Sequence, residues 1–323
     1  MTVTKPNAHP DSSTPSHAAQ VHGKSQRARN DFERSPLLGP GDKIGEGDTD
    51  IVLHVLPDDL ADVAFQKLKS EVKWNTMHHR GGEVPRLVAV EGAVNEDGSF
   101  PIYRHPADES PPLHPFSPTV SLIRDQVEKA LNHPVNHVLI QLYRGGADYI
   151  SEHSDKTIDV VKGSKIVNVS LGAQRIMVLQ TKKDALLPSD GASHTPTSRV
   201  TQRIPLPHNS MFVMGLETNK KWMHGIRSDK RPESAKTDTE KYANGERISL
   251  TFRNIGTFLT ADEAYIYGQG GKGKTKDDQR LVVNGTEEAE RLIQAFGAEN
   301  HESNFDWEAS YGQGFDVLHF TTK

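Results

Sequence analysis

Apolar residues recur every three or four positions between residues 51 and 74, whereas from residue 138 they gather in short runs bounded by turn residues. That change of pattern predicts a helical entry followed by a β-rich body. Leu60, Val63, Ala64, Leu68 and Val72 follow Pro57-Asp58-Asp59. The acids suit a first helical turn, so an amphipathic helix is expected to run to about Trp74. A second helix is expected after Ser117-Pro118-Thr119, with Val120, Ile123, Val127 and Leu131 on one face. Val138–Tyr143, a short strand beginning at Tyr149-Ile150, Ile166–Leu171, Arg175–Leu179, Met211–Met214 and Ile248–Phe252 then read as strands. Arg144–Ala147 reads as a turn, and Gly172-Ala-Gln as a hairpin between its neighbours. Many short strands separated by turn signals predict a sandwich or barrel rather than a parallel sheet.

The pattern also divides the chain. Residues 1–46 are rich in Ser, Thr, Pro, His and basic residues, which predicts a disordered tail. One domain is expected over 47–260, interrupted by surface loops at Lys182–Arg203 and at the strongly charged Arg227–Glu246. Beyond it, a C-terminal extension over 261–323 comprises a Gly/Lys-rich linker at Gly268–Lys276, a helix at Glu287–Phe296 and an aromatic stretch at Phe305–Phe320. Trp307, Tyr311 and Phe315 in that stretch predict a segment that packs back on the domain.

Composition removes several chemistries. There is no cysteine in 323 residues, hence no disulfide, thiolate nucleophile or iron–sulfur cluster, and any metal must be held by histidine and oxygen. The net charge of −5 supplies no global basic field, so nucleic-acid binding would need a local patch. No run reaches the ~18 apolar residues of a membrane span, and no apolar leader is visible. A soluble intracellular protein of the cytoplasm or nucleus is expected, without a membrane partner.

Sixteen histidines are present, and a His-x-Asp pair is expected by chance; His9-Pro10-Asp11 is one. His153-Ser154-Asp155 differs because of its company. Two residues apart on an extended segment, His153 and Asp155 point the same way, and His224 in Trp222-Met-His can add a third ligand from a distant strand. Two imidazoles and a carboxylate on one face leave three positions open, the geometry of oxygen-activating ferrous iron. Catalytic zinc accepts the same donors, but Arg247 and Arg253 add a cationic clamp for an acidic co-substrate, which a zinc hydrolase does not generally need.

With Val84-Pro85-Arg86, Tyr143, His153-x-Asp155, Val169-Ser-Leu-Gly172, Trp222-x-His224 and Arg247-Ile-Ser-Leu-Thr-Phe-Arg253 in this order, the chain resembles the AlkB-like branch of the Fe(II)/2-oxoglutarate-dependent dioxygenases over about half its length. The resemblance implies a mainly β (α+β) fold, a double-stranded β-helix of jelly-roll or cupin type with flanking helices. It implies iron on His153, Asp155 and His224, and 2-oxoglutarate against Tyr143, Arg247 and Arg253. Gln141 and Ser249 stand at co-substrate positions where the family usually has asparagine. The reactants implied are Fe(II), 2-oxoglutarate and O₂, with ascorbate as the reductant in vitro, and the outcome is hydroxylation or oxidative demethylation at a C–H bond.

Two substrate classes stay open, since a fold does not fix a substrate. Base-repairing members carry acids just after the ligand aspartate, whereas here Lys156-Thr157-Ile158 follows, with Asp159 the nearest substitute. That departure, the acidic net charge and the long loops favour a small organic molecule, as in biosynthetic tailoring. Lys220, Lys221, Arg227, Lys230 and Arg231 around His224 would suit an alkylated nucleobase in DNA or RNA, because the phosphates beside a flipped base need cations. A non-catalytic binding module is the third alternative.

Overall fold

The computed structural model describes residues 35–79, 82–106, 111–186, 199–284 and 287–318. Contacts separate Met1–Pro36 from a second unit, Leu37–Lys323, which carries every helix and strand among the described residues. Of the tail expected over residues 1–46, residues 1–34 lie outside the described residues.

Two antiparallel-rich sheets carry the domain. The larger has seven strands in the order Asp50–Leu53, Ser210–Met214, Ile166–Gly172, Arg247–Arg253, His137–Tyr143, Leu87–Gly92 and Leu113–Pro115. Only its last pair is parallel. The smaller has four, in the order Thr201–Leu206, Arg175–Thr181, Trp222–Ile226 and Ile150–His153. Flanked by helices, this is the double-stranded β-helix that the resemblance implies.

Alternation along the strands explains the layering. In Arg247–Arg253 the even-numbered Ile248, Leu250 and Phe252 are fully buried in a core shared with Ala64, Phe65 and Leu68 of helix Asp58–Glu71 and with Val120, Ile123 and Val127 of helix Pro118–Leu131. Each such side chain contributes about 1.5–3 kcal/mol by leaving water. The odd-numbered Arg247, Ser249, Thr251 and Arg253 turn the other way, into the cavity between the sheets. A second core, including Tyr143, Phe212, Met177, Leu179 and Trp222, fills the rest of that inter-sheet space.

The structure departs from the pattern in four places. Ile166–Gly172 and Arg175–Thr181 are not a hairpin; they belong to different sheets. Gly172, at φ +91°, carries the chain across, and a Cβ there would lie 2.4 Å from the Glu246 carbonyl oxygen. The end of the expected tail is packed: Ile44 is 1% exposed, and Glu46 accepts from Trp222 Nε1 at 2.8 Å. The expected Lys182–Arg203 loop begins with fully buried Lys182, and its last residues, 201–203, already belong to the strand Thr201–Leu206; residues 187–198 lie outside the described residues. Gly268–Lys276 is not a free linker. Its start belongs to the strand Tyr265–Gly268 of a further four-stranded sheet, and Lys274 Nζ donates to the carbonyls of Gln269 and Gly271.

The helix expected at Glu287–Phe296 extends to His301. Leu292 and Phe296 share an apolar cluster with Phe305, Tyr311, Phe315, Val317 and Ile158, the last of these from the segment just after Asp155. No helix among the described residues is long and apolar enough to cross a membrane.

Candidate active site

His153 ends the strand Ile150–His153, and its cross-strand partner is His224. The two strands approach closely because residue 225 is glycine: a Cβ there would lie 2.9 Å from the Ile150 carbonyl oxygen. The imidazole centroids are 4.4 Å apart. Asp155 lies two residues further on and brings Oδ1 to 3.5 Å from His153 Nε2 and 3.7 Å from His224 Nε2. One ligand atom from each residue falls within 4.8 Å of the others. Facial ligands at metal–ligand bonds near 2.1 Å stand about 3 Å apart, so a small contraction closes this triad on an ion. The Ser151 carbonyl accepts from His153 Nδ1 at 2.8 Å, which leaves the Nε2 lone pair for a metal.

Asp155 is held from two sides. Asn219, in the one-and-a-half-turn helix Leu216–Lys221 just before the His224 strand, accepts from the Asp155 backbone N–H and donates to its carbonyl, both at 2.9 Å. Arg253 donates to Oδ2 through Nε at 3.1 Å and Nη2 at 2.6 Å, so Oδ1 alone faces the imidazoles. Burial pushes the Asp155 carboxyl up, but Arg253 and the two imidazoles outweigh it and hold it well below the usual carboxylate range. His224 is held at about 3, by burial first and the neighbouring His153 second, so it is a neutral ligand at any working pH. Tyr103 lies under Arg253, whose guanidinium carbon is 3.9 Å from the ring centroid.

At the far end of the cavity Arg247 is 1% exposed. Its Nη2 donates to Asn168 Oδ1 at 3.0 Å and Ser170 Oγ at 2.7 Å. Asn168 is oriented in turn by donating to Ser249 at 2.6 Å and Thr251 at 3.0 Å. Arg247 Nε and Nη1 are buried without a partner among the described residues, and no carboxylate pairs with this cation there. Burial pulls the guanidinium down to about 10, the Tyr143 hydroxyl opposing. A buried guanidinium with an open fork matches a carboxylate. Tyr143 lies beside it, with 5.1 Å between its ring centroid and the guanidinium carbon. The donor sets therefore fit both a divalent metal and a dicarboxylate co-substrate.

All eight residues expected from the sequence line this one cavity: Gln141, Tyr143, His153, Asp155, His224, Arg247, Ser249 and Arg253. Two have partners that the sequence pattern does not anticipate. Gln141 turns its amide oxygen to Arg86, with Nε at 2.8 Å. Arg253, expected beside a carboxylate of the co-substrate, also grips Asp155. Asn168, Asn219 and Tyr103 were missed. Asn168 and Ser170 were findable, because they are polar at alternate positions of an otherwise apolar strand. Asn219 and Tyr103 carried no comparable signal.

Asp159 does not substitute for the missing acids. It is 0% exposed and locked to Arg104, which donates through Nη2 at 2.7 Å, Nε at 3.1 Å and its backbone N–H at 2.8 Å.

A family model described as the 2OG-Fe(II) oxygenase superfamily matches residues 49–253. The chain belongs to that superfamily, and within it to the AlkB-like enzymes; it is a 2-oxoglutarate-dependent dioxygenase that uses Fe(II) as cofactor with 2-oxoglutarate and O₂ as co-substrates. It is 32% identical over 203 residues to the human protein named DNA oxidative demethylase ALKBH2, covering 60% of this chain and 69% of that one. It is 27% identical over 199 residues to bovine alpha-ketoglutarate-dependent dioxygenase alkB homolog 3, covering 60% and 62%. About a third of each relative is unmatched. The small-molecule substrate favoured by the sequence finds no support among these relatives.

Proposed function

We propose that this protein removes alkyl groups oxidatively from nucleobases in DNA or RNA. The observation that carries the reading is the similarity to the human DNA oxidative demethylase, in a chain whose family match contains the whole His153–Asp155–His224 triad and both arginines. His153, Asp155 and His224 hold the iron, and Arg247 takes the distal carboxylate of 2-oxoglutarate with Tyr143 beside it. When bound, iron with 2-oxoglutarate supplies the oxidising power: O₂ is consumed, the co-substrate becomes succinate and CO₂, and one oxygen atom enters a substrate C–H bond.

The chain's own groups orient and shelter that chemistry. Arg253 keeps Asp155 ionised and leaves only Oδ1 for the metal. The network from Asn168 fixes the Arg247 fork. The triad reaches the surface at His153, whose side chain is 32% exposed against 11% for His224 and 4% for Asp155, so the base enters from that side. An N-methyl group hydroxylated there becomes a hydroxymethyl amine, which loses formaldehyde to leave the unmodified base.

Phosphates flanking the base need cations near His153. Arg227 pairs with Glu152, the residue before His153, at 2.7 Å, and Lys221, just before the His224 strand, pairs with Glu46 at 3.0 Å. Exposed pairs of this kind are worth only about 0–1 kcal/mol, so a phosphate can displace the acid.

The test is formaldehyde and succinate release with iron, ascorbate, 2-oxoglutarate and oligonucleotides carrying N-methylated bases, beside a metabolite extract. The reading expects formaldehyde in step with repaired base, suppressed as salt rises. Turnover confined to the extract would return the substrate to the small-molecule class.

A further inference from the structure

The metal-bearing segment is held by a part of the chain that lies outside the matched residues 49–253. Its grip comes from the last turn of the helix Glu287–His301. Asn300 Oδ1 accepts from the Ser154 backbone N–H at 3.0 Å and from Lys156 Nζ at 3.4 Å. The Glu299 carbonyl accepts from Ser154 Oγ at 3.2 Å. The Glu299 carboxylate, 3% exposed, accepts from the Thr157 backbone N–H at 2.9 Å, from the Thr157 hydroxyl, and from Tyr311 Oη at 2.7 Å. Trp307 Nε1 donates to the Thr157 carbonyl at 3.3 Å.

Charge supports the same contact. The buried ammonium of Lys182 donates to the Glu299 carbonyl and, at 3.3 Å, to that of Glu302. Lys156 Nζ, also buried, donates to the Ser154 carbonyl at 3.1 Å. Two cations therefore sit at a helix C-terminus, whose free carbonyls and dipole favour positive charge. Ile158 anchors the other side in the apolar cluster of Leu292, Phe296 and Tyr311. Residues 154 to 158 thus touch the C-terminal segment at four of five positions, and Asp155 is the one left over for Arg253, Asn219 and the imidazoles.

We infer that Asn300 and Glu299 are positioning residues for the metal centre, holding the Ser154–Thr157 backbone so that Asp155 Oδ1 stays opposite His153 and His224. The inference rests on those three residues binding the metal. Groups that orient a ligand typically change metal affinity by about 10–100-fold when removed. The C-terminal segment is on this view a working part of the site, holding the Lys156-Thr157-Ile158 stretch that follows the aspartate.

The test uses the full chain and Co(II) under argon, with the visible spectrum reporting ligand geometry and the titration reporting affinity. Asn300→Ala should weaken Co(II) binding about tenfold and alter the spectrum. Asn300→Asp, which keeps an acceptor oxygen at the same place, should restore both. Gln294→Ala, at an exposed position of the same helix, should leave both unchanged. Each variant is measured well below its own melting temperature, with circular dichroism confirming the fold. Unchanged affinity and spectrum in Asn300→Ala, or no rescue by Asn300→Asp, would overturn the positioning role while leaving the triad intact. Failure of the unmutated protein to bind Co(II) would overturn the triad and the positioning role together.

Discussion

Arg253 holds one oxygen of Asp155 and leaves the other to the imidazoles: two donated hydrogen bonds end on Oδ2, and Oδ1 faces His153 and His224. The arginine thereby sets both the charge and the rotation of the ligand. Arg253→Lys keeps the charge but loses the fork. It should weaken metal binding about 10–100-fold in an anaerobic titration. Unchanged metal affinity with only a raised 2-oxoglutarate requirement would return Arg253 to the co-substrate.

Arg247 gives the opposite kind of prediction. A buried guanidinium with two unpartnered nitrogens is a desolvated charge awaiting a counterion. Arg247→Met should raise the KM for 2-oxoglutarate at least a hundredfold with metal affinity unaltered. Without ligands the same variant should melt at a higher temperature than the unmutated protein, because an apolar side chain removes the desolvation penalty. A lower melting temperature would show that the charge is already compensated.

Asp159 has a structural role. Both it and Arg104 are nearly inaccessible, and Arg104 also donates to the Phe315 carbonyl at 2.7 Å. Asp159→Ala leaves that cation unpaired and should lower stability by about 3–5 kcal/mol in denaturant unfolding. A stable variant with altered base preference would instead make Asp159 a reader of substrate.

Acid should destabilise the metal-free protein through its buried imidazoles. His137 is held at about 3, by burial first and Arg253 second, and His224 also at about 3. Both ordinary values are 6.5. Below 6.5 the unfolded chain takes up protons that the folded chain refuses, so stability is complete above 6.5 and falls towards 3. The slope approaches about 1.4 kcal/mol per pH unit for each imidazole, or roughly 2 kcal/mol each between pH 6.5 and 5. Urea unfolding at pH 7 and pH 5 measures it; equal midpoints would mean that neither ring is buried in the neutral form.

Much of this was legible because its signals are local. Alternation in Arg247–Arg253 placed Arg247, Ser249 and Arg253 on one face and Ile248, Leu250 and Phe252 on the other, and the spacing of His153 and Asp155 put them together. What escaped depends on long-range contact. Gly172 reads as a hairpin turn until its neighbours are seen to pair with different strands. Asn219 and Tyr103 reach the site from segments that have no pattern of their own, Asn300 does so from the end of a helix whose contact with Ser154 no local signal announces, and the grip of Arg253 on Asp155 shows only in the folded chain.

The most direct test is anaerobic addition of Fe(II) and then 2-oxoglutarate, with visible absorption as the readout. The expected result is one iron per chain and a charge-transfer band that requires both components. The band should vanish in His153→Ala and Asp155→Ala, and should need far more 2-oxoglutarate in Arg247→Met. A band that persists at full strength in His153→Ala or Asp155→Ala would contradict the assignment of the metal centre.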